Sequence, residues 1–229
     1  MTRLAALIGL SLWSAVAAAL PFQNGSFETG GAVPCNTFNI PAGNTLIAGW
    51  TVSAGNIDWL GALSSSCGWQ ASNGVASLDL VGTAAGGVGG IQQTFDTIPG
   101  QTYIVQFDVA GNTGAPPAIK PLAVTVNGVT TNFTFDTTGH SGTAMGWVTQ
   151  QVTFTATGTS STINFVSDVS ASGGSLNAGA ALDNVRVQTA GGVPAGPLAP
   201  IPLDWAHIGA MLLLLLAAAF VYPRYARRR

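Results

Sequence analysis

Charge is what this chain has least of. Only 7% of its 229 residues are Asp, Glu, Lys or Arg, and Lys120 is its sole lysine. Between residues 20 and 200 the acids Glu28, Asp58, Asp79, Asp96, Asp108, Asp136, Asp168 and Asp183 are answered only by Lys120 and Arg186. A surface that neutralises nucleic-acid phosphates needs a stripe of basic side chains, so nucleic-acid binding has no support. Cysteine is nearly as scarce. Cys35 and Cys67 cannot close a tetrahedral zinc site by themselves, and an even pair in an exported chain reads as one disulfide. Its loop of about thirty residues would contribute roughly 3 to 4 kcal/mol through chain entropy. No amphipathic helical pattern occurs in the body of the chain, which removes helical bundles and α/β folds from consideration.

Long apolar runs are confined to the two ends. Arg3, an apolar stretch from Leu4 to Ala19 and the small residues Ala17-Ala18-Ala19 predict a signal peptide over 1–19. At the other end Ile201-Pro202-Leu203-Asp204-Trp205 leads into an apolar run, Ile208 to Val221, closed by Arg224, Arg227, Arg228 and Arg229. A helix over about 206–222 covers most of a ~30 Å hydrocarbon core, and the arginines would stay on the cytoplasmic side. This tail resembles the C-terminal sorting signals of bacterial exosortase-type systems, in particular the variant that begins Ile-Pro-Thr-Leu, although Leu203 follows Pro202 directly. The resemblance implies an exosortase-like processing enzyme as partner and at least transient membrane anchoring through Ile201, Pro202, Leu203 and Trp205. A permanent single-pass anchor is the alternative.

What lies between is the length of one domain, 20–188, followed by a Gly/Pro-rich linker over 189–200. Strand signals fill it. Segments 46–52, 75–81, 90–95, 102–109, 122–126, 148–156, 162–166 and 181–187 are rich in Val, Ile, Thr, Phe and Tyr, several with strict alternation. Turn formers separate them: Pro99-Gly100, Asn127-Gly128, Thr138-Gly139 and Gly173-Gly174. Asn127-Gly128 supplies the positive φ angles of a type I′ hairpin turn. The expected fold is an all-β antiparallel two-sheet sandwich.

Asn24-Gly25-Ser26-Phe27-Glu28, Gly49-Trp50, Gly55-Asn56-Ile57-Asp58, Ser77-Leu78-Asp79-Leu80, Ile91-Gln92-Gln93-Thr94, Gly111-Asn112, Trp147 and Leu182-Asp183-Asn184-Val185 occur in the order of the bacterial choice-of-anchor C family. The chain resembles that family over nearly its whole exported part. The resemblance implies a galactose-binding-like jelly roll, the fold of many carbohydrate-binding modules, and carries no catalytic residue.

Candidate sites follow from side-chain chemistry. Flat indole faces stack on sugar rings, and Trp59 and Trp69 sit in loop-like sequence, with Asp58 and Asn112 available to fix hydroxyls. Glu28 and Asp183 stand at the two ends of the domain, which a jelly roll brings together. They could hold a structural Ca²⁺ with backbone carbonyls, or accept backbone N–H groups. Asp58 and Asp79 are the only aspartates in position for a glycosidase pair. Gly139-His140-Ser141-Gly142-Thr143 falls short of a nucleophile elbow, since it ends in Thr143 and the only other histidine, His207, precedes the apolar run of the tail. The composite expectation is an exported, non-catalytic domain at the cell surface or in the extracellular matrix, binding polysaccharide. The alternative is a matrix or adhesion protein working through protein association. An exposed Trp59 or Trp69 beside Asp, Asn or Gln would mark the first, and a Thr/Asn-rich face without a groove the second.

Overall fold

The structure, a computed structural model, describes residues 20–31, 36–61, 69–82, 86–172 and 176–191. The signal peptide, Cys35 and Cys67, the end of the linker, the sorting motif, the tail helix and its arginines lie outside the described residues. Ten strands are present: β1 Asn36–Pro41, β2 Thr51–Gly61, β3 Ala76–Asp79, β4 Val88–Asp96, β5 Thr102–Gly111, β6 Ile119–Val126, β7 Val129–Asp136, β8 Val148–Thr155, β9 Ser160–Asp168 and β10 Ala180–Thr189. The only helical element among the described residues is a 3-10 turn, Ser170–Ser172.

All strand pairs are antiparallel and form two layers. Sheet one runs β7-β6-β9-β4-β2, and sheet two runs β2-β3-β10-β5-β8 with β1 on the other edge of β2. Strand β2 belongs to both. Its first half, Thr51 to Gly55, pairs with β4, and its second half, from Asn56 to Gly61, pairs with β1 and β3. The switch falls at Gly55, whose φ is +46° and where a Cβ would lie 1.9 Å from the Val88 carbonyl oxygen, so only glycine lets the strand cross between layers. The sandwich is thus closed along β2 and ends in β7 and β8 on its other side.

Alternation explains the packing. In β6 and β9 every second residue is buried, which puts Leu122, Val124, Val126, Ile163 and Phe165 between the sheets and Ala123, Thr125, Thr162, Asn164 and Val166 on the outside. Trp50, Phe27, Phe107 and Phe165 form the centre of the core, with ring centroids of Phe27–Trp50 and Phe107–Phe165 both 5.2 Å apart. Each such side chain stabilises the fold by about 1.5 to 3 kcal/mol through burial.

The two ends of the domain meet. Val185 N–H of β10 donates to the Gly25 carbonyl at 2.8 Å, and a Cβ on Gly25 would stand 1.8 Å from the Val185 oxygen. Asn24, at φ +51°, holds the adjoining turn: its Nδ2 donates to the carbonyls of Thr29 and Ala48, and its own carbonyl accepts from the Trp50 indole. The Asn127-Gly128 turn is as expected, with φ of 48° and 84° and Val126 paired to Val129. The segment expected as a strand over 46–52 begins its ladder only at Thr51. Ile47 instead fills the core from an isolated antiparallel bridge to Gly30.

Candidate functional site

The outward faces of the two sheets are built differently. On sheet two the register places Asp58 of β2 beside Asp79 of β3, and Asp183 of β10 beside Asp108 of β5. Neighbours Trp59, Leu78, Leu182 and Val109 point into the core, so the carboxylates point away from it. Yet all four are buried. The chain has folded back over them.

One cover is the segment 69–76. Ser72 and Asn73 donate their backbone N–H groups to Asp183 Oδ2, both at 2.8 Å, and Asn184 N–H reaches Asp183 Oδ1. Asp108 accepts the hydroxyls of Ser72 and Thr149 and the amide of Asn184. Glu28 Oε1 accepts the N–H groups of Val75 and Ala76, each at 2.8 Å. Burial pushes Asp183 up to about 7 against the pull of its N–H donors, with the Asp108 charge adding to the rise. Burial also works to raise Asp108, but its three side-chain hydrogen bonds and Arg186 hold it below its ordinary value.

The other cover lies at the opposite end. Asp79 accepts the backbone N–H groups of Val81 and Gly179 on Oδ1 and Asn112 Nδ2 on Oδ2, at 2.9, 3.0 and 2.6 Å. Burial pushes it up to about 7, opposed by those bonds. Asp58 is likewise raised by burial while accepting Asn39 N–H at 2.7 Å. Lys120, fully buried, donates to the carbonyls of Ala115 and Ala178 at 2.7 and 2.9 Å, and its own pKa is lowered by burial.

Several expected site residues are therefore reassigned. Trp59 is no platform: it is 2% exposed, faces the core, and donates its indole N–H to the Phe27 carbonyl. Asp58 is sealed by the register shift of β1 at Asn39, and a buried Asp58–Asp79 pair leaves no room for a sugar ring between its carboxyls. Asn112 has both ends of its carboxamide engaged, by Asp79 and by Gly114 N–H. Trp69 is half-buried, with its indole N–H on Ser77 Oγ at 2.9 Å. Glu28 and Asp183 converge on one segment, yet they do so as acceptors of its backbone. Backbone N–H groups aim at the oxygens a calcium ion would need, so these carboxylates as placed do not fit that ion.

Sheet one shows the contrast. Its register aligns Thr51, Gln92, Asn164, Thr125 and Thr130 in one row across all five strands. At strand spacings of about 4.8 Å this row is roughly 19 Å long. Thr130 is exposed, and Thr51, Gln92, Asn164 and Thr125 are partly exposed. Ser53 Oγ donates to Asn164 Oδ1 at 2.7 Å, and Thr125 and Thr130 share a hydroxyl bond of 2.8 Å. Among the described residues nothing engages the Gln92 amide or the Asn164 Nδ2. In the next row Gly90, Val166, Ala123 and Asn132 keep the face low. Ionised groups stand only at its margins, Asp96, Asp136 and Asp168. Alternation in each strand marks these residues as outward, but their alignment depends on five-strand register, which no local pattern carries.

Fold and site together define an all-β antiparallel sandwich that presents one sealed acidic face and one open uncharged face. Residues 20–188 match the family described as "Protein of unknown function (DUF642)", and the chain belongs to that family. No match is found among curated proteins. Among solved structures the chain is similar to TmCBM61 in complex with β-1,4-galactotriose, at 17% identity and a TM-score of 0.46, covering 75% of this chain and 99% of that one. It is also similar to a family 35 carbohydrate binding module from Clostridium thermocellum (16% identity, TM-score 0.40, 62% and 92% covered). A third similar structure is the arabinose-bound α-L-arabinofuranosidase MgGH51 (15%, 0.48), of which the chain covers 28% and which covers 79% of this chain. These likenesses assign neither a ligand nor a role to any residue here.

Proposed function

We propose that this is an exported, non-catalytic polysaccharide-binding domain, held at the cell envelope or in the extracellular matrix by its C-terminal tail, and that sheet one is its binding face. The observation that carries the proposal is a pair of neighbouring amides in the centre of an uncharged row: Gln92, whose amide nothing engages among the described residues, and Asn164, whose Nδ2 is open while its Oδ1 accepts from Ser53. An amide both donates and accepts, as a sugar hydroxyl does, and each bond to it is worth about 0.5 to 1.5 kcal/mol net. The face offers hydrogen bonds without charge, which suits a neutral glycan over an acidic one. It offers no indole, so affinity comes from many weak polar contacts along the row.

Affinity electrophoresis of the full chain through gels containing neutral or acidic polysaccharide tests this. Retardation by a neutral polysaccharide is expected, and Gln92→Ala with Asn164→Ala should weaken it about tenfold, the equivalent of ~1.4 kcal/mol. Unchanged retardation of the double variant would remove sheet one from the site. If Trp69→Ala alone abolished it, the site would move to the loop beside Ser77. The matrix or adhesion reading also has a specific observation in its favour, the state of the edge strand β7.

A further inference from the structure

Strand β7, the outer edge of sheet one, lacks every device that keeps sheet edges apart. Natural edges are blunted by lysines, prolines, bulges or short length. Over its eight residues β7 reads Val-Thr-Thr-Asn-Phe-Thr-Phe-Asp, with no base, no proline and one acid at its last position. Its ladder to β6 runs through eight consecutive pairs without a register shift. Val129 is 73% exposed, and Thr130, Thr131, Asn132 and Thr134 are exposed as well. In a two-residue hairpin the residues flanking the turn, here Val126 and Val129, exchange both bonds. The alternation that follows turns the backbone N–H and C=O groups of Thr130, Asn132 and Thr134 away from β6, toward the open side.

We propose that this edge pairs with the same edge of a second copy of this chain, antiparallel about a two-fold axis through Asn132. This goes beyond the glycan reading and needs neither Gln92 nor Asn164. The pattern of charge and side chains selects a second copy as the occupant. With Asn132 opposite its counterpart, Thr130 meets Thr134 and Thr131 meets Phe133, while Val129 meets Phe135. Partners then point to the same side, polar with polar on the outward face and the exposed Val129 covered on the core side. Asp136, the only ionised group, falls opposite Gly128 of the turn and not opposite its own copy, so no like charges meet. Threonine pairs and aromatic pairs with β-branched residues each add about 0.2 to 1 kcal/mol across strands. The pairing is isologous and closes at two copies. It would make sheet one ten strands wide, with the two polar rows on one face and staggered by four residues.

Sedimentation velocity of the full chain in mild detergent, at increasing protein concentration, reads this directly. The wild type should shift from monomer to dimer. Asn132→Lys, which sets two ammonium groups face to face, should remain monomeric with an unchanged melting temperature, while Gln151→Lys on β8 should dimerise as the wild type does. A wild type that stays monomeric overturns the proposal, and so does an Asn132→Lys variant that still dimerises, since association would then run through another part of the chain. A short bis-maleimide should join Asn132→Cys chains into dimers and leave Gln151→Cys chains single. The reverse result would place the contact on β8.

Discussion

The two outer faces of this sandwich hold polar side chains in similar number and use them in opposite ways. On sheet two, Asp58, Asp79, Asp108 and Asp183 are buried by returning loops, and the donors on their oxygens come from those loops and from Asn184 and Thr149 beside them. On sheet one, Thr51, Gln92, Asn164 and Thr125 remain partly open, and among the described residues nothing engages the Gln92 amide or the Asn164 Nδ2. A buried carboxylate is tolerable only when its lone pairs are met, so sheet two converts acids into anchors for loops. Sheet one keeps its polar groups available. The lesson is that in this chain acidity marks structure and neutrality marks the face proposed as the site.

Mutation should break that contrast most visibly at Asp183. Asp183→Asn puts an NH₂ where the carboxylate had only acceptors, against either Asn184 N–H or the Ser72 and Asn73 pair. Chemical denaturation should show a loss of about 1 to 3 kcal/mol, and wild-type stability would mean that segment 69–76 is held by other contacts.

Opposite in sign to common acid denaturation is the effect of pH. Asp79 and Asp183 sit near 7 in the fold against 3.8 for a free side chain. Between those values the folded protein holds protons that the unfolded chain has released, so stability falls as pH rises through the window. Melting temperature should drop between about pH 4.5 and about pH 7.5, and the drop should be shallower in Asp183→Asn. A rise over that interval would mean the carboxylates are ionised in the fold. Asp108, held low, works the other way, its contribution being lost only as pH falls below the ordinary aspartate range.

Two near-zero effects sharpen the comparison. Gln92→Ala on sheet one should change stability by no more than about 0.5 kcal/mol, as for an exposed position outside any network. A larger loss would make Gln92 part of the scaffold. Chelation should leave the melting temperature unchanged, because N–H groups stand at Glu28 and Asp183 where calcium was expected. A fall on chelation, absent in Glu28→Gln, would restore the ion.

The sandwich was legible because alternation and turn residues are local. Val124 to Val129 announces its hairpin, whereas the irregularity after Asp183, with Asn184 at φ +51°, shows only in the structure. Strand β1 was missed because Asn36–Pro41 has little apolar periodicity, and it is held by pairing to β2. The site was largely illegible. Tryptophan and aspartate drew attention by chemical type, while burial by distant segments decided their roles: Asp183 is met by Ser72, 111 positions away. Gln92, Asn164 and Thr125 each carried an outward-facing signal, but only register unites them.

Strand β2 has a further consequence for how this molecule comes apart. Because one continuous backbone serves as the boundary strand of sheet one and an interior strand of sheet two, crossing at Gly55, neither layer can melt while the other keeps its full hydrogen bonding. The open layer would on its own contacts be the easier to fray, yet it is tethered to the layer with buried anchors on both faces. Amide exchange should therefore report one shared opening for β4 and β3, the two partners on either side of the crossing, rather than two foldons of different protection.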